Sequence, residues 1–187
     1  MEQSEILSIF ERSGALLKGH FVLRSGRHSR EFFQCALALQ EMPVVEILGS
    51  ELARRCANLD VRTVVAPAMG GLVIGQEVAR CLRSRFVFLE KDSGKLVLRR
   101  GFRISPGERC LVVEDVVTQG GRALETINIL RTLGAHVVAV AMLVDRSTSA
   151  IPIDVPLIGL VKMQVETFDP FSLPPDLLAS TPVKPGS

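Results

Sequence analysis

Four short, almost wholly apolar runs constrain the fold of this 187-residue chain more than any other feature of it. They are Thr63-Val64-Val65-Ala66, Phe86-Val87-Phe88-Leu89, Cys110-Leu111-Val112-Val113 and residues 137–144. Most are rich in β-branched residues, and none alternates apolar with polar as a half-wetted strand does. A strand that is apolar on both sides must be covered on both sides. Stretches of helical period lie between the runs. One covers 72–82, after the break Pro67-Ala68-Met69-Gly70-Gly71; another opens at Gly120-Gly121 and is stopped by Gly134. Short buried strands alternating with helices predict an α/β fold: a central, mostly parallel sheet flanked by helices.

The remaining segments are less regular. Residues 3–14 and 44–57 have helical period. Between them, Phe21-Val22-Leu23 and Phe32-Phe33 flank the polar stretch from Arg24 to Arg30, which predicts a hairpin or a cap of strands. Residues 90–103 read as a polar loop, closed by the turn Pro106-Gly107. After the fourth run come a strand near Leu157 and an irregular, proline-rich tail.

Composition narrows the class. With 47% apolar residues the chain can bury one sizeable core, so a single domain is expected over 1–187. A formal charge of +2 is too small to point to nucleic acid or to a membrane surface. The longest apolar run is far too short to span a bilayer. The acidic start, Met1-Glu2-Gln3-Ser4-Glu5, is not followed by a signal-type core. Cys35, Cys56, Cys81 and Cys110 stand singly, without CxxC spacing, as reduced thiols of a soluble cytoplasmic protein do.

The chemistry concentrates after the third run. Glu114 and Asp115 are adjacent carboxylates at a strand end, and Thr118-Gln119-Gly120-Gly121 is a small turn feeding a helix. Amides of such a turn, helped by the helix dipole, bind phosphate. Carboxylates beside a phosphate site repel it unless the ligand also offers hydroxyls, a metal or a cationic transition state. A ribose phosphate that breaks its C1 bond through an oxocarbenium-like state offers all of these. A lone Glu-Asp is as often a plain loop cap; the attached Thr-x-Gly-Gly and helix argue for the ligand. P-loop, GxGxxG, HExxH and GxSxG patterns are absent from the sequence.

The stretch from Val112 to Gly121 resembles the diphosphoribosyl-binding signature of the type I phosphoribosyltransferases. Gly19 to Ser29 with Phe32-Phe33 is similar to the N-terminal hood of the orotate phosphoribosyltransferases, Ala66 to Gly71 resembles their diphosphate loop, and Asp145-Arg146 resembles the pair whose arginine meets the orotate carboxylate. The resemblance implies a type I phosphoribosyltransferase fold with a small hood built from about 15–42 and part of the tail. It implies transfer from 5-phosphoribosyl 1-diphosphate (PRPP) to orotate, and a homodimer in which a mobile loop of one subunit closes the other's site. It also implies Mg²⁺, held through the diphosphate and hydroxyl oxygens with few protein ligands.

By the same resemblance, Glu114 and Asp115 hold the ribose hydroxyls and stabilise positive charge at C1. Val116, Val117, Thr118, Gln119, Gly120, Gly121 and Arg122 form the PRPP-binding turn, with Met69 and Arg24 also at PRPP. Thr118, Arg146 and Phe33 meet orotate. Lys91 is the catalytic lysine, and the family's second loop lysine and histidine have no counterpart. Lys91, Lys95, Arg99, Arg100 and Arg103 either close over the leaving diphosphate or form an ordinary solvated basic loop. Arg146 could instead form a surface ion pair, and Phe33 could be plain core. Two other functions share these residues: a non-catalytic PRPP-binding regulator, and a phosphoribosyltransferase for another base. The sequence shows no concentrated basic face to favour the first. The hood and Arg146 disfavour the second.

Overall fold

The computed structural model describes residues 1–23 and 25–185. Its main sheet has six strands: β3 (Thr63–Pro67), β4 (Arg85–Asp92), β5 (Lys95–Leu98), β6 (Arg109–Val117), β7 (His136–Asp145) and β8 (Leu157–Lys162). They lie in the order β5-β4-β3-β6-β7-β8, and every pairing is parallel except β4 with β5. The four apolar runs are the hearts of β3, β4, β6 and β7. Consecutive residues face opposite sides, so Val64, Leu111 and Val113 enter one core and Val65, Val112 and Val140 the other. Helices α3 (Met42–Cys56) and α4 (Gly71–Leu82) cover the first face, and α5 (Gly121–Thr132) covers the second. Eight successive residues of β7, from Val137 to Val144, are buried, as strands covered on both faces require.

Strand order places the ligand crevice. From β3 the chain winds outward to β4 and then β5. It returns to the other side of β3 as β6 and winds the opposite way through β7 and β8. The reversal falls between β3 and β6, so the connections leaving their C-terminal ends splay apart and open a crevice. Those connections are the stretch 68–70 and the turn 118–120.

A second, three-stranded sheet joins β1 (Leu16–Val22), β2 (His28–Phe33) and β9 (Thr167–Phe168), after the N-terminal helix α1 (Gln3–Arg12). β1 and β2 form the expected hairpin, and the short α2 (Cys35–Leu39) follows it. The tail is more ordered than its prolines suggested. It supplies β9 and the single helical turn α6 (Pro175–Leu178), and Val183 bridges to Phe21. Among the described residues no helix is long and apolar enough to cross a membrane.

The stretch 90–103 is not the polar loop that its charges predicted. β4 runs on to Asp92, Ser93 and Gly94 both take positive φ, and β5 pairs back with Leu89 opposite Leu98. A two-residue turn with both φ positive matches the twist of a hairpin. The short apolar run Leu96-Val97-Leu98 after Ser93-Gly94 was the local signal, masked by the flanking cations. Leu96 is buried, and its N–H donates to Glu125 of α5 at 2.8 Å.

Candidate active site

β6 carries its acids to the rim of the crevice. Glu114 is buried, only 4% exposed, and Asp115 is half-buried. Neither forms an ion pair among the described residues. Burial strips water from the Glu114 carboxyl and, with the charge of Asp115 beside it, raises its pKa from 4.5 to about 8. Burial also raises Asp115, partly offset by the N–H of Val116, which donates to Asp115 Oδ1 at 2.8 Å, and by Arg122.

The stretch after β3 lies directly against these acids. A Cβ built on Gly70 would sit 2.5 and 2.6 Å from the two Asp115 carboxylate oxygens, and one on Gly71 would sit 2.6 Å from the Val113 carbonyl oxygen. At Gly71 the obstacle is main chain and cannot yield, so glycine is needed there, whereas at Gly70 an added methyl would have to push the Asp115 side chain aside. Arg122 Nη1 reaches the Ala68 carbonyl at 3.4 Å and so spans both connections. Gly70→Ala has no φ penalty, because Gly70 sits at φ −58, and its methyl would meet only a side chain that can turn aside. The expected result is a change in stability below about 1 kcal/mol with PRPP affinity reduced at least tenfold, read by calorimetric titration. Unchanged affinity would mean that the position of Asp115 is irrelevant to the ligand.

Beyond the acids the chain makes an open, uncapped helix start. Thr118, Gln119, Gly121 and Arg122 are exposed, and Gly120 is buried at φ +74, a left-handed conformation that glycine adopts freely. No side chain caps α5, and its first main-chain bond runs from the Leu124 N–H to the Gly120 carbonyl. The amides of 121–123 are thus free to meet an anion at the positive end of the helix dipole. Residues 114–123 together line a recess of about 520 Å³.

Arg146 joins the same rim. Its main-chain N–H donates to the carbonyl of Val117, the last residue of β6, at 2.8 Å. Asp145 accepts the Ser147 N–H at 2.9 Å and faces Lys162 at 3.7 Å, so it turns the chain and does not pair with its neighbour. Arg146 is left with no ion pair among the described residues, and its Nε is buried with no hydrogen bond. Desolvation lowers its pKa. The alternative of a surface ion pair for Arg146 is therefore not what the fold builds.

Other expected site residues stand differently. Met69 is 77% exposed, beside Gly70. Phe33 is 4% exposed and meets Phe10 edge-on at 5.2 Å, so its ring belongs to the core packing between β2 and α1 and not to an open pocket. Lys91 is exposed on β4 opposite Leu96 and does not line the recess. Arg99 pairs with Asp92, and Arg100 with Glu90 at 2.6 Å while lying over the Phe88 ring. Of the five cations of this stretch, Lys91, Lys95 and Arg103 have no ion pair among the described residues. Arg24 lies outside the described residues. Ile151 and Ile153, not singled out in the sequence, pack against Gly120. Ile151, Ile153 and Val155 at every second position are the local sign that one side of the connection is covered.

The buried acids give a test of their own. The folded chain holds the Glu114 proton up to about pH 8, whereas the unfolded chain releases it near 4.5. The folded state therefore binds more protons across that window, and stability falls as pH rises through it. Without ligand, Glu114→Gln should melt several degrees above the parent protein at pH 8, a gain of roughly 2 kcal/mol once local relaxation softens the full cost of ionising a buried carboxyl. The gap should close toward pH 5. A gap of the same size at both pH values would show that ionisation of Glu114 is not its source.

A doubly wound sheet with an acid pair and an uncapped glycine turn at its switch point is the arrangement expected of a transferase of sugar phosphates, and the comparisons give the family. The model of the phosphoribosyl transferase domain matches residues 38–178, and the chain belongs to that family. Among curated relatives, the orotate phosphoribosyltransferase of Desulforamulus reducens is 46% identical over 187 residues, covering 100% of this chain and 98% of that protein. That of Thermotoga maritima is 43% identical over 182 residues, covering 97% of each. These full-length matches place the chain among the orotate phosphoribosyltransferases. The crystal structure of orotate phosphoribosyltransferase from Aeropyrum pernix superposes with a TM-score of 0.75 at 23% identity, covering 84% of this chain and 93% of that one. An adenine phosphoribosyltransferase from Thermoanaerobacter pseudethanolicus reaches 0.62 at 18% identity, covering 71% and 88%. At such identities the likeness shows the fold and leaves the base to the site.

Proposed function

We propose that this chain transfers the phosphoribosyl group of PRPP to orotate, giving orotidine 5′-monophosphate and diphosphate. One observation carries the choice of acceptor. The guanidinium of Arg146 has no ion pair among the described residues, and its main chain is bonded to the residue that precedes the turn at 118–120. A planar fork of donors without a carboxylate partner suits the planar carboxylate of orotate. The full-length similarity to orotate phosphoribosyltransferases supports the same acceptor.

The roles follow from position. The amides of 118–122 take the 5′-phosphate. Asp115 and Glu114 accept the ribose hydroxyls, and as C1 loses its bond to diphosphate they stabilise the charge that develops there. Thr118 borders the base. The 68–70 stretch, with Met69, faces the diphosphate. Lys91 and Lys95 lie on the β4–β5 hairpin and Arg103 in the connection that follows it, exposed cations suited to a departing polyanion.

Glu114 and Asp115 also fit Mg²⁺. They are acidic, largely shielded from water and without an ion pair among the described residues, and burial raises the pKa of both. When bound, Mg²⁺ would neutralise the leaving diphosphate, with ribose hydroxyls and water between it and these acids.

We read 15–42 with part of the tail as a hood over the base. We also read a second copy of the chain as the cover of the exposed Met69 and Val73, beside the diphosphate stretch. Four free cysteines suit a cytoplasmic setting. The test is direct: the protein mixed with orotate, PRPP and Mg²⁺ should consume the orotate absorbance. Folded protein that binds PRPP and leaves orotate untouched would reject this reading.

A further inference from the structure

The connection from β7 to β8 is fixed at three points along the segment from the end of β6 through α5, one of them at the phosphate turn itself. At its root, the Arg146 N–H bonds to the Val117 carbonyl at 2.8 Å. At its far end, Asp154 accepts Arg131 Nη2 of α5 at 2.9 and 3.0 Å. Midway, Ile151 covers Gly120: a Cβ built there would overlap the Ile151 γ2 methyl, and Ile153 Cδ1 would be 3.3 Å away. Gly120 is the one left-handed residue of the turn, and its carbonyl accepts the first main-chain bond of α5. The methyl of Ile151 thus occupies the space that a side chain at position 120 would fill, and holds from behind the peptide whose front faces the recess.

We infer that Ile151 is a positioning residue for the 5′-phosphate: its γ2 methyl keeps the turn at Gly120 in the conformation that points the 120–122 amides at the anion. The inference rests on reading that turn as the phosphate site. A preorganised cradle binds more tightly because the ligand does not have to order it. Loss of the methyl lets the turn relax toward Ile151, and the amides diverge.

Shape makes the test specific. Valine keeps two γ methyls on Cβ and can place one over Gly120. Leucine is closer to isoleucine in size and apolarity but carries a single γ carbon and cannot fill the same spot. Ile151→Val, Ile151→Leu and Ile151→Ala are titrated calorimetrically with ribose 5-phosphate, with inorganic diphosphate as the second probe, and their melting temperatures are recorded. The expected result is affinity for ribose 5-phosphate within twofold of the parent for valine and weakened about tenfold or more for leucine and alanine, with diphosphate affinity unchanged in all three. In turnover, KM for PRPP should rise while kcat stays within about twofold. Melting temperatures that fall from isoleucine to alanine while ribose 5-phosphate affinity stays constant would overturn the inference and leave Ile151 as plain packing. So would tighter binding by leucine than by valine. Because the titrations need no orotate, a parent protein that binds ribose 5-phosphate without turning over orotate would sink the proposed reaction and still decide the role of Ile151.

Discussion

Asp115→Asn should lower kcat for the orotate reaction by two to three orders of magnitude, the loss usual when a preorganised group facing the developing charge is removed. The substitution keeps the shape. Asparagine retains an oxygen for the Val116 N–H at 2.8 Å and still fits against Gly70, so neither stability nor the path of the 68–70 stretch should change much. What disappears is a carboxylate shielded from water at the rim of the crevice, where the effective dielectric is low and a charge acts strongly on a neighbour. The cation at C1 forms only as the bond to diphosphate lengthens, so the loss should appear in kcat, with the PRPP dissociation constant rising far less. Removing the charge of Asp115 also removes one cause of the raised Glu114 pKa, so the ligand-free variant should be less destabilised at pH 8 than the parent. A kcat within fivefold of the parent would show that the acid does not face the reacting carbon.

Arg146→Ala should reduce kcat/KM for orotate about a hundredfold or more while changing PRPP affinity no more than a few-fold. The guanidinium makes no ion pair among the described residues, its Nε has no hydrogen bond, and the contact that ties the residue to β6 comes from its main chain. Removing it should therefore leave the phosphate turn in place and relieve the desolvation that lowers its pKa, so stability should hold or rise. Arg146→Lys should recover little, because an ammonium is a point charge and cannot present two parallel N–H bonds to a carboxylate. Equal loss of affinity for both substrates would move Arg146 from acceptor recognition to general support of the crevice. Full activity in the lysine variant would show that charge alone is being read.

These two predictions rest on different kinds of legibility. The acids and the turn are contiguous in sequence, from Glu114 to Arg122, and strand period, glycine chemistry and helix start converge on one short stretch. Arg146 lies about thirty residues downstream, and only the parallel pairing of β6 with β7 brings the end of one strand beside the end of the other. Its freedom from partners was likewise invisible, because it depends on Asp145 being engaged by Ser147 and Lys162. Phe33 shows the opposite outcome. An aromatic pair beside a polar hairpin suits a base-binding hood, yet the ring turns inward to Phe10. A pleated strand sends neighbouring side chains to opposite faces, and nothing local says which face of this hairpin meets the core. The stretch 90–103 misleads because its net polarity outweighs a two-residue turn signal.

By itself the sequence determined what is local: the β-branched runs that had to become covered strands, the glycines that had to break them, and an acid pair leading into a glycine turn that opens a helix. Tertiary structure alone decided where the winding reverses, and with it that Gly70 would press on Asp115, the main chain of Arg146 would meet the end of β6, and Ile151 would back Gly120. The physical reason is range. Backbone propensity and side-chain period act over a few residues, whereas strand order and the packing of one connection on another are set by how the whole apolar surface can be buried at once.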